Sequence, residues 1–209
     1  MRVQDTAATI AGGGQATGSP ESARQMLIDG QLVGADRTYQ SINPATGELV
    51  GYAPDGTVAD AEAAIAAARR AFDSTDWATN VEFRIRCLEQ LHQALVEHSD
   101  ELRALTIAEV GATQALTEGP QLDDPIRIIG YYAELLKTYP LTEELGEIES
   151  RGQRHRRWVE KEAAGVVAAI IAYNYPNQLA MAKLGPALAA GCTVVLKAAP
   201  DTPLTTLAL

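Results

Sequence analysis

The sequence predicts an α/β fold, on three observations. Gly165 to Ile171 is a continuous apolar run bounded by a turn, the pattern of a fully buried parallel strand. Asn177 to Ala190 has helical composition and is stopped by Gly191. Thr193-Val194-Val195-Leu196 then reads as a second buried strand, so residues 165–197 make one βαβ unit. Pro186 falls inside the connecting helix, where a lost hydrogen bond and a ring clash cost about 3 kcal/mol. A kink or break is expected at Gly185-Pro186.

The elements before this unit follow in order. Residues 1–24 are rich in Gly, Ala, Thr, Gln and Ser, with Gly12-Gly13-Gly14 in the middle, and read as a disordered tail. Met26-Leu27-Ile28 and Gln31-Leu32-Val33 flank Asp29-Gly30, a hairpin signal. Asn43-Pro44 and Thr46-Gly47 mark a turn, and Glu48 to Tyr52 is a further short strand. Four helices are expected next. The first opens at Thr57 with Asp60 three residues on, a capping-box variant, and carries Ala61, Ile65, Ala68 and Phe72 as its apolar line. The second opens near Asn80 and carries Leu88, Leu91 and Leu95. The third opens near Ser99, carries Leu102 and Leu105, and stops at Gly111. The fourth takes Asp124 as N-cap and Pro125 as its first residue, with Ile128, Ile129, Tyr132 and Leu136 inward. Residues 141–163 change character. An acidic segment with Glu143, Glu144, Glu147 and Glu149 meets a basic one with Arg151, Arg154, Arg156 and Arg157 around Gly152, which suggests a protruding hairpin. Its arginine cluster reads as an anion site or as a solvated or intersubunit face.

Composition narrows the function. The chain has 209 residues with 17 basic and 27 acidic side chains, a net charge of −10. Such a chain repels nucleic acid and anionic membranes. Its longest apolar run, Gly165 to Tyr173, falls well short of the ~20 residues a bilayer span needs. The N-terminus shows no signal-peptide pattern. Two cysteines and three histidines leave no disulfide framework and no metal site, and a cytoplasmic setting is expected. Cys87 lies in a helix pattern and Cys192 in a helix-to-strand turn. Both read as small buried groups rather than nucleophiles.

In open α/β sheets ligands sit beyond the carboxyl ends of the strands. Asn174 follows the first strand of the βαβ unit and Lys197 ends the second, and parallel neighbours stand ~4.8 Å apart. One crevice can therefore receive both. Asn offers an amide donor for a developing oxyanion, and Lys offers three donors for sugar hydroxyls or phosphate. No Gly-x-Gly-x-x-Gly turn follows the first strand, and no P-loop is present.

At these residues the sequence resembles a known family. Asn43 to Glu48, "NPATGE", resembles an element of the aldehyde dehydrogenase superfamily, and Asp60 to Phe72 is similar to that family's first helix. Gly165 to Pro203 is similar to its "PWNxP … K-x-x-P-A-L-A-x-G … VVxKP" block. The resemblance covers residues 26–209. It implies that Asn174 is the oxyanion-hole asparagine and that Lys197 binds the adenosine ribose. It also implies that Ile170, Ile171, Ala172 and Tyr173 line the dinucleotide. Ala172-Tyr173 stand where the family usually has Pro-Trp, and Pro200, also a cofactor-side position, stands where it often has Glu. The implied fold is an incomplete Rossmann-like dinucleotide-binding domain, residues 25–140 and 164–209, with residues 141–163 as an oligomerisation arm. The implied cofactor is NAD or NADP, NAD favoured. The implied activity is oxidation of an aldehyde to a carboxylic acid by the whole protein, as a homo-oligomer. Family catalytic Cys and Glu fall downstream of Leu209, so the chain reads as an N-terminal portion, inactive alone. Two alternatives stand beside this reading: a non-catalytic binding or assembly remnant, and part of an acylating or acyl-phosphate reductase relative.

Overall fold

Left-handed backbone at two consecutive residues, Asp29 (φ 54°) and Gly30 (φ 72°), closes the first hairpin. It joins β1 (Met26–Ile28) to β2 (Gln31–Val33) in antiparallel register. The computed structural model describes residues 23–209; most of the expected tail, residues 1–22, lies outside the described residues. Strands β3 (Thr38–Ile42) and β4 (Leu49–Pro54) form a second antiparallel pair. Their connection is the "NPATGE" segment, and its sequence explains its shape. The Asn43 side-chain oxygen accepts from the amides of Ala45 (2.9 Å) and Thr46 (3.3 Å), and Gly47 takes φ 75°.

Five helices follow where four were expected. Helix α1 (Val58–Ser74) starts with the expected reciprocal cap between Thr57 and Asp60. Its hydrogen bonds to Thr57 hold the Asp60 carboxyl below its usual range. The expected apolar line is corrected. Ala61 and Ile65 are exposed, and Ala67 is the buried residue, because among the described residues the helix packs chiefly on the small β1–β2 and β7–β8 ladders. Helix α2 (Val81–Glu97) is capped by Asn80, whose side chain accepts from the Phe83 amide. Helix α3 (Ser99–Val110) ends at Gly111 in the left-handed region. The one-turn helix α4 (Gln114–Thr117), capped by Thr113, was not anticipated. Helix α5 (Asp123–Leu136) begins before the expected cap. Leu122 is its N-cap, Asp124 is already helical, and Pro125 sits in the first turn, where its missing N–H costs nothing. Asp123 instead pairs with Arg103 at 2.7 Å.

The hairpin is present as expected: β5 (Thr142–Ser150) and β6 (Gln153–Glu160), every residue exposed. Register places the acidic strand against the basic one. Arg156 faces Glu147 and pairs with Glu144, and Arg157 donates to the Leu145 carbonyl. Much of the arginine cluster is therefore spent across the hairpin itself.

The βαβ unit is β7 (Val166–Ile170), α6 (Pro176–Ala189) and β8 (Thr193–Lys197), with β7 and β8 parallel. A short helix α7 (Pro203–Leu207) follows. Two expectations are corrected here. β7 is not fully buried. Ala169 is inaccessible, but Ala168 and Ile170 on the other face are exposed, because the described ladder has two strands and part of that face is uncovered. Nor does α6 break at Pro186. Gly185 lets it press on α5 so closely that an added Cβ would lie 2.6 Å from the Tyr132 ring, and this packing holds the helix through the proline.

Helices α2, α3, α5 and α6 share one core, which includes Leu88, Leu95, Leu102, Ile126, Ile129 and Met181. Arg84 crosses it. It is 1% exposed, and burial pushes its guanidinium pKa down. Its three bonds run to carbonyls: Ala189 at the end of α6 (3.1 Å), Trp77 (2.8 Å) and Ala78 (2.9 Å). Trp77 in turn donates its indole N–H to the Cys192 carbonyl at 2.9 Å. These bonds fasten the α1–α2 connection to the turn that feeds β8. Replacing Arg84 by Met leaves one buried and two part-buried carbonyls without donors, at about 1–3 kcal/mol for the buried one. We expect Arg84→Met to lower unfolding free energy by at least about 2 kcal/mol in urea titration; a change under about 0.5 kcal/mol would contradict this account.

Candidate functional site

Strand pairing brings the sequence-singled residues to one edge. Ile170 and Lys197 are register partners at the carboxyl ends of β7 and β8. Parallel partners project to the same face, so an apolar side chain and an ammonium stand side by side. Both are exposed, Ile170 by 64%. The Lys197 ammonium donates to the Ala198 carbonyl at 3.0 Å and, among the described residues, forms no ion pair. Ala172, Tyr173 and Asn174 continue from β7 as an exposed loop ahead of α6, and Pro200 lies exposed on the loop after β8. Ile171 differs. It is buried, and its backbone N–H donates to the Lys197 carbonyl at 3.4 Å, so it ties the strand ends together from below.

The exposed loop is held through its backbone. Three successive carbonyls accept from three different elements. Tyr173 accepts from the Thr202 hydroxyl (3.3 Å), Asn174 from the Gln121 side-chain amide (2.8 Å), and Tyr175 from the Leu179 amide within α6 (2.9 Å). With the carbonyls turned inward, the Tyr173 and Asn174 side chains are left facing solvent. The Thr202 bond also joins the loop after β7 to the loop after β8.

Beneath the loops runs a polar seam that sequence reasoning missed. Asn177 is fully buried, and its amide donates to the Thr106 hydroxyl (3.0 Å) and the Gln121 carbonyl (2.9 Å). Glu109, 2% exposed, accepts from the Ser41 hydroxyl (2.7 Å) and from the amides of Leu204 (2.8 Å) and Thr205 (2.6 Å). It thereby satisfies the N-terminus of α7. One signal was available. An acid in the last turn of α3 opposes that helix's dipole, which suggests a partner elsewhere. The Tyr39 hydroxyl, nearby on β3, has its pKa raised by burial and then by the charges of Glu109, Asp55 and Asp201.

Neither cysteine fits the role of a nucleophile at this edge. Cys87 lies on α2, and burial pushes its thiol pKa up, with Arg86 pulling partly back. Cys192 is buried at the opposite, amino-terminal end of β8. Two surface hollows lie elsewhere. One of about 600 Å³ runs between α2 and α5 beside His92 and Tyr131, and one of about 290 Å³ sits at the hairpin root beside Tyr139 and Lys161. The strand ends remain the stronger candidate, because there the loops converge from both strands of the βαβ unit. Among the described residues no group of three or more His, Cys, Asp or Glu could hold a metal, and no helix is long and apolar enough to cross a membrane.

An α/β chain whose loops converge at the carboxyl ends of a parallel strand pair has the architecture in which open sheets receive ligands. Comparison with known proteins makes this specific. The family model described as "Aldehyde dehydrogenase family" matches residues 32–209, and the chain belongs to that family, corresponding to its N-terminal portion. It is 37% identical over 189 residues to a 3-sulfolactaldehyde dehydrogenase of Pseudomonas putida, covering 89% of this chain and 37% of that protein. It is 38% identical over 189 residues to a phenylacetaldehyde dehydrogenase of Pseudomonas fluorescens, covering 88% of this chain and 38% of that protein. A Mycobacterium tuberculosis aldehyde dehydrogenase in complex with NAD+ superposes with a TM-score of 0.80 at 35% identity, over 89% of this chain and 38% of that one. The chain thus spans under two-fifths of the length of the relatives it matches.

We expect Glu109→Gln to show how much the seam contributes. The amide keeps one acceptor but turns an NH₂ toward backbone donors. The cost should be about 2–3 kcal/mol in chemical denaturation, the scale of a hydrogen bond to a charged group plus an orphaned donor. A stability equal to wild type would remove Glu109 from the account.

Proposed function

We propose that this chain forms the cofactor-binding and oxyanion side of an NAD(P)-dependent aldehyde dehydrogenase site. The observation that carries the reading is the pairing of Ile170 with Lys197 at the strand ends, beside a loop that exposes Asn174. The residues fit a dinucleotide. Ile170, Ala172 and Tyr173 offer an apolar shelf, and the adjoining ammonium has no carboxylate partner among the described residues. Pro200 brings no acidic group to the ribose side. Bound NAD+ or NADP+ would supply a hydride acceptor. The chain's own residues do the rest of what is proposed here. Lys197 donates to ribose hydroxyls or to phosphate, Ile171 fixes the strand ends, and the Asn174 amide donates to the oxygen that becomes negative when a thiolate adds to an aldehyde. That thiolate comes from a segment other than the described one, since Cys87 and Cys192 are misplaced. The substrate is an aldehyde and the product a carboxylic acid. The hairpin of β5 and β6, exposed on both strands, is the surface proposed for assembly of like chains.

Titration with NAD+ and NADP+ tests the division of labour. We expect Lys197→Ala to raise the dissociation constant about tenfold or more, and Asn174→Ala to leave it within about twofold. Equal weakening by the two variants would contradict the separate roles. With several aldehydes and either cofactor, the 209-residue chain is expected to form no NADH or NADPH. Turnover abolished by Cys87→Ser or Cys192→Ser would overturn the placement of the nucleophile elsewhere.

A further inference from the structure

We propose that Gln121 is a positioning residue for Asn174, holding the peptide that aims the oxyanion donor. The inference rests on the reading of Asn174 given above, and its observations are separate. Gln121 is 3% exposed and stands away from the exposed edge. Its backbone is fixed on both sides: its N–H donates to the Leu116 carbonyl at 2.9 Å, and its carbonyl accepts from Asn177. Its side chain therefore extends from an immobile base, and the amide reaches the Asn174 carbonyl at 2.8 Å.

Asn174 needs such a tether. It lies between the last residue of β7 and the first turn of α6, where neither ladder nor helix bonds reach its carbonyl. Pro176 at the helix start has no N–H to offer. The Tyr173 carbonyl has a longer bond to Thr202, so the Gln121 bond is the shorter of the two that side chains make to the loop. An oxyanion donor contributes in proportion to how well it is aimed before charge develops. A rotation of the Asn174 peptide would swing its side-chain amide off that aim. The role falls to a residue on the α4–α5 connection, which touches neither strand end.

The test uses the full 209-residue chain, isotopically labelled, with the Asn174 side-chain amide assigned by its loss in Asn174→Asp. Gln121→Met keeps length and burial but removes the donor. Gln121→Glu keeps shape and places an acceptor opposite the carbonyl, and it serves if the methionine variant does not fold. Either is expected to lower the heteronuclear NOE of the Asn174 amide toward that of a flexible side chain. Either should also speed hydrogen exchange at the Leu179 amide, which closes the same loop, by about tenfold. Thr106→Val breaks the same seam without touching the Asn174 carbonyl. It should lower the melting temperature yet leave the Asn174 amide as ordered as in wild type. An Asn174 amide that stays ordered in the folded Gln121 variants overturns the positioning role, whatever Asn174 does in catalysis. Equal loosening in Thr106→Val also overturns it, since the effect would then be general softening. Loosening confined to the Gln121 variants upholds it, even if Asn174→Ala proves harmless to the chemical step.

Discussion

A buried carboxylate with three donors organises the functional end of this molecule. Glu109 sits at the close of α3, where water cannot reach it, and accepts one bond from β3 and two from the first turn of α7. An unpaired charge in that position would be costly, so the three segments must meet there or the site does not form. Asn177 and Gln121 extend the same constraint toward the loop after β7. The exposed edge that carries Ile170, Asn174 and Lys197 is thus supported from beneath by fixed polar groups. An edge left mobile would cost ordering entropy each time a ligand bound.

Arg84 does at the end of α6 what Glu109 does at the start of α7. It satisfies carbonyls where α6 ends and where α1 gives way to α2, and Trp77 reaches across to the turn before β8. An added Cβ on Gly191 would lie 3.0 Å from the Ala78 carbonyl oxygen, so the approach is close enough that glycine is needed, and φ there is 89°. A buried cation at the end of α6 and a buried anion beneath α7 are each satisfied by neutral groups instead of by the other.

What the sequence made legible was local. Capping by Thr57 and Asn80, the Asp29-Gly30 turn and the Gly111 stop depend on residues close together in the chain, and each strand of the parallel pair on its own apolar run. Burial was read less well. Ile65 and Ile170 have the composition of core residues, yet both are exposed, because periodicity reports an element's own pattern and not what packs against it. The seam was illegible for a related reason. Gln121 meets Asn174 across 53 positions, Asn177 meets Thr106 across 71, and Glu109 meets Leu204 across 95, and no pattern in a single sequence marks such pairs. Lys197 was legible as the end of the second strand and Asn174 as a residue of the loop after the first. Their support was not.

The central claim is that the carboxyl edge of β7 and β8, and not the larger hollow between α2 and α5, receives a dinucleotide. Mapping amide shifts of the labelled chain during titration with NADH tests it most directly. The account requires saturable shifts centred on residues 170–174 and 197–200, with the α2–α5 surface around His92 and Tyr131 unmoved. Shifts centred on His92 and Tyr131, or none at the strand ends at millimolar ligand, would contradict it.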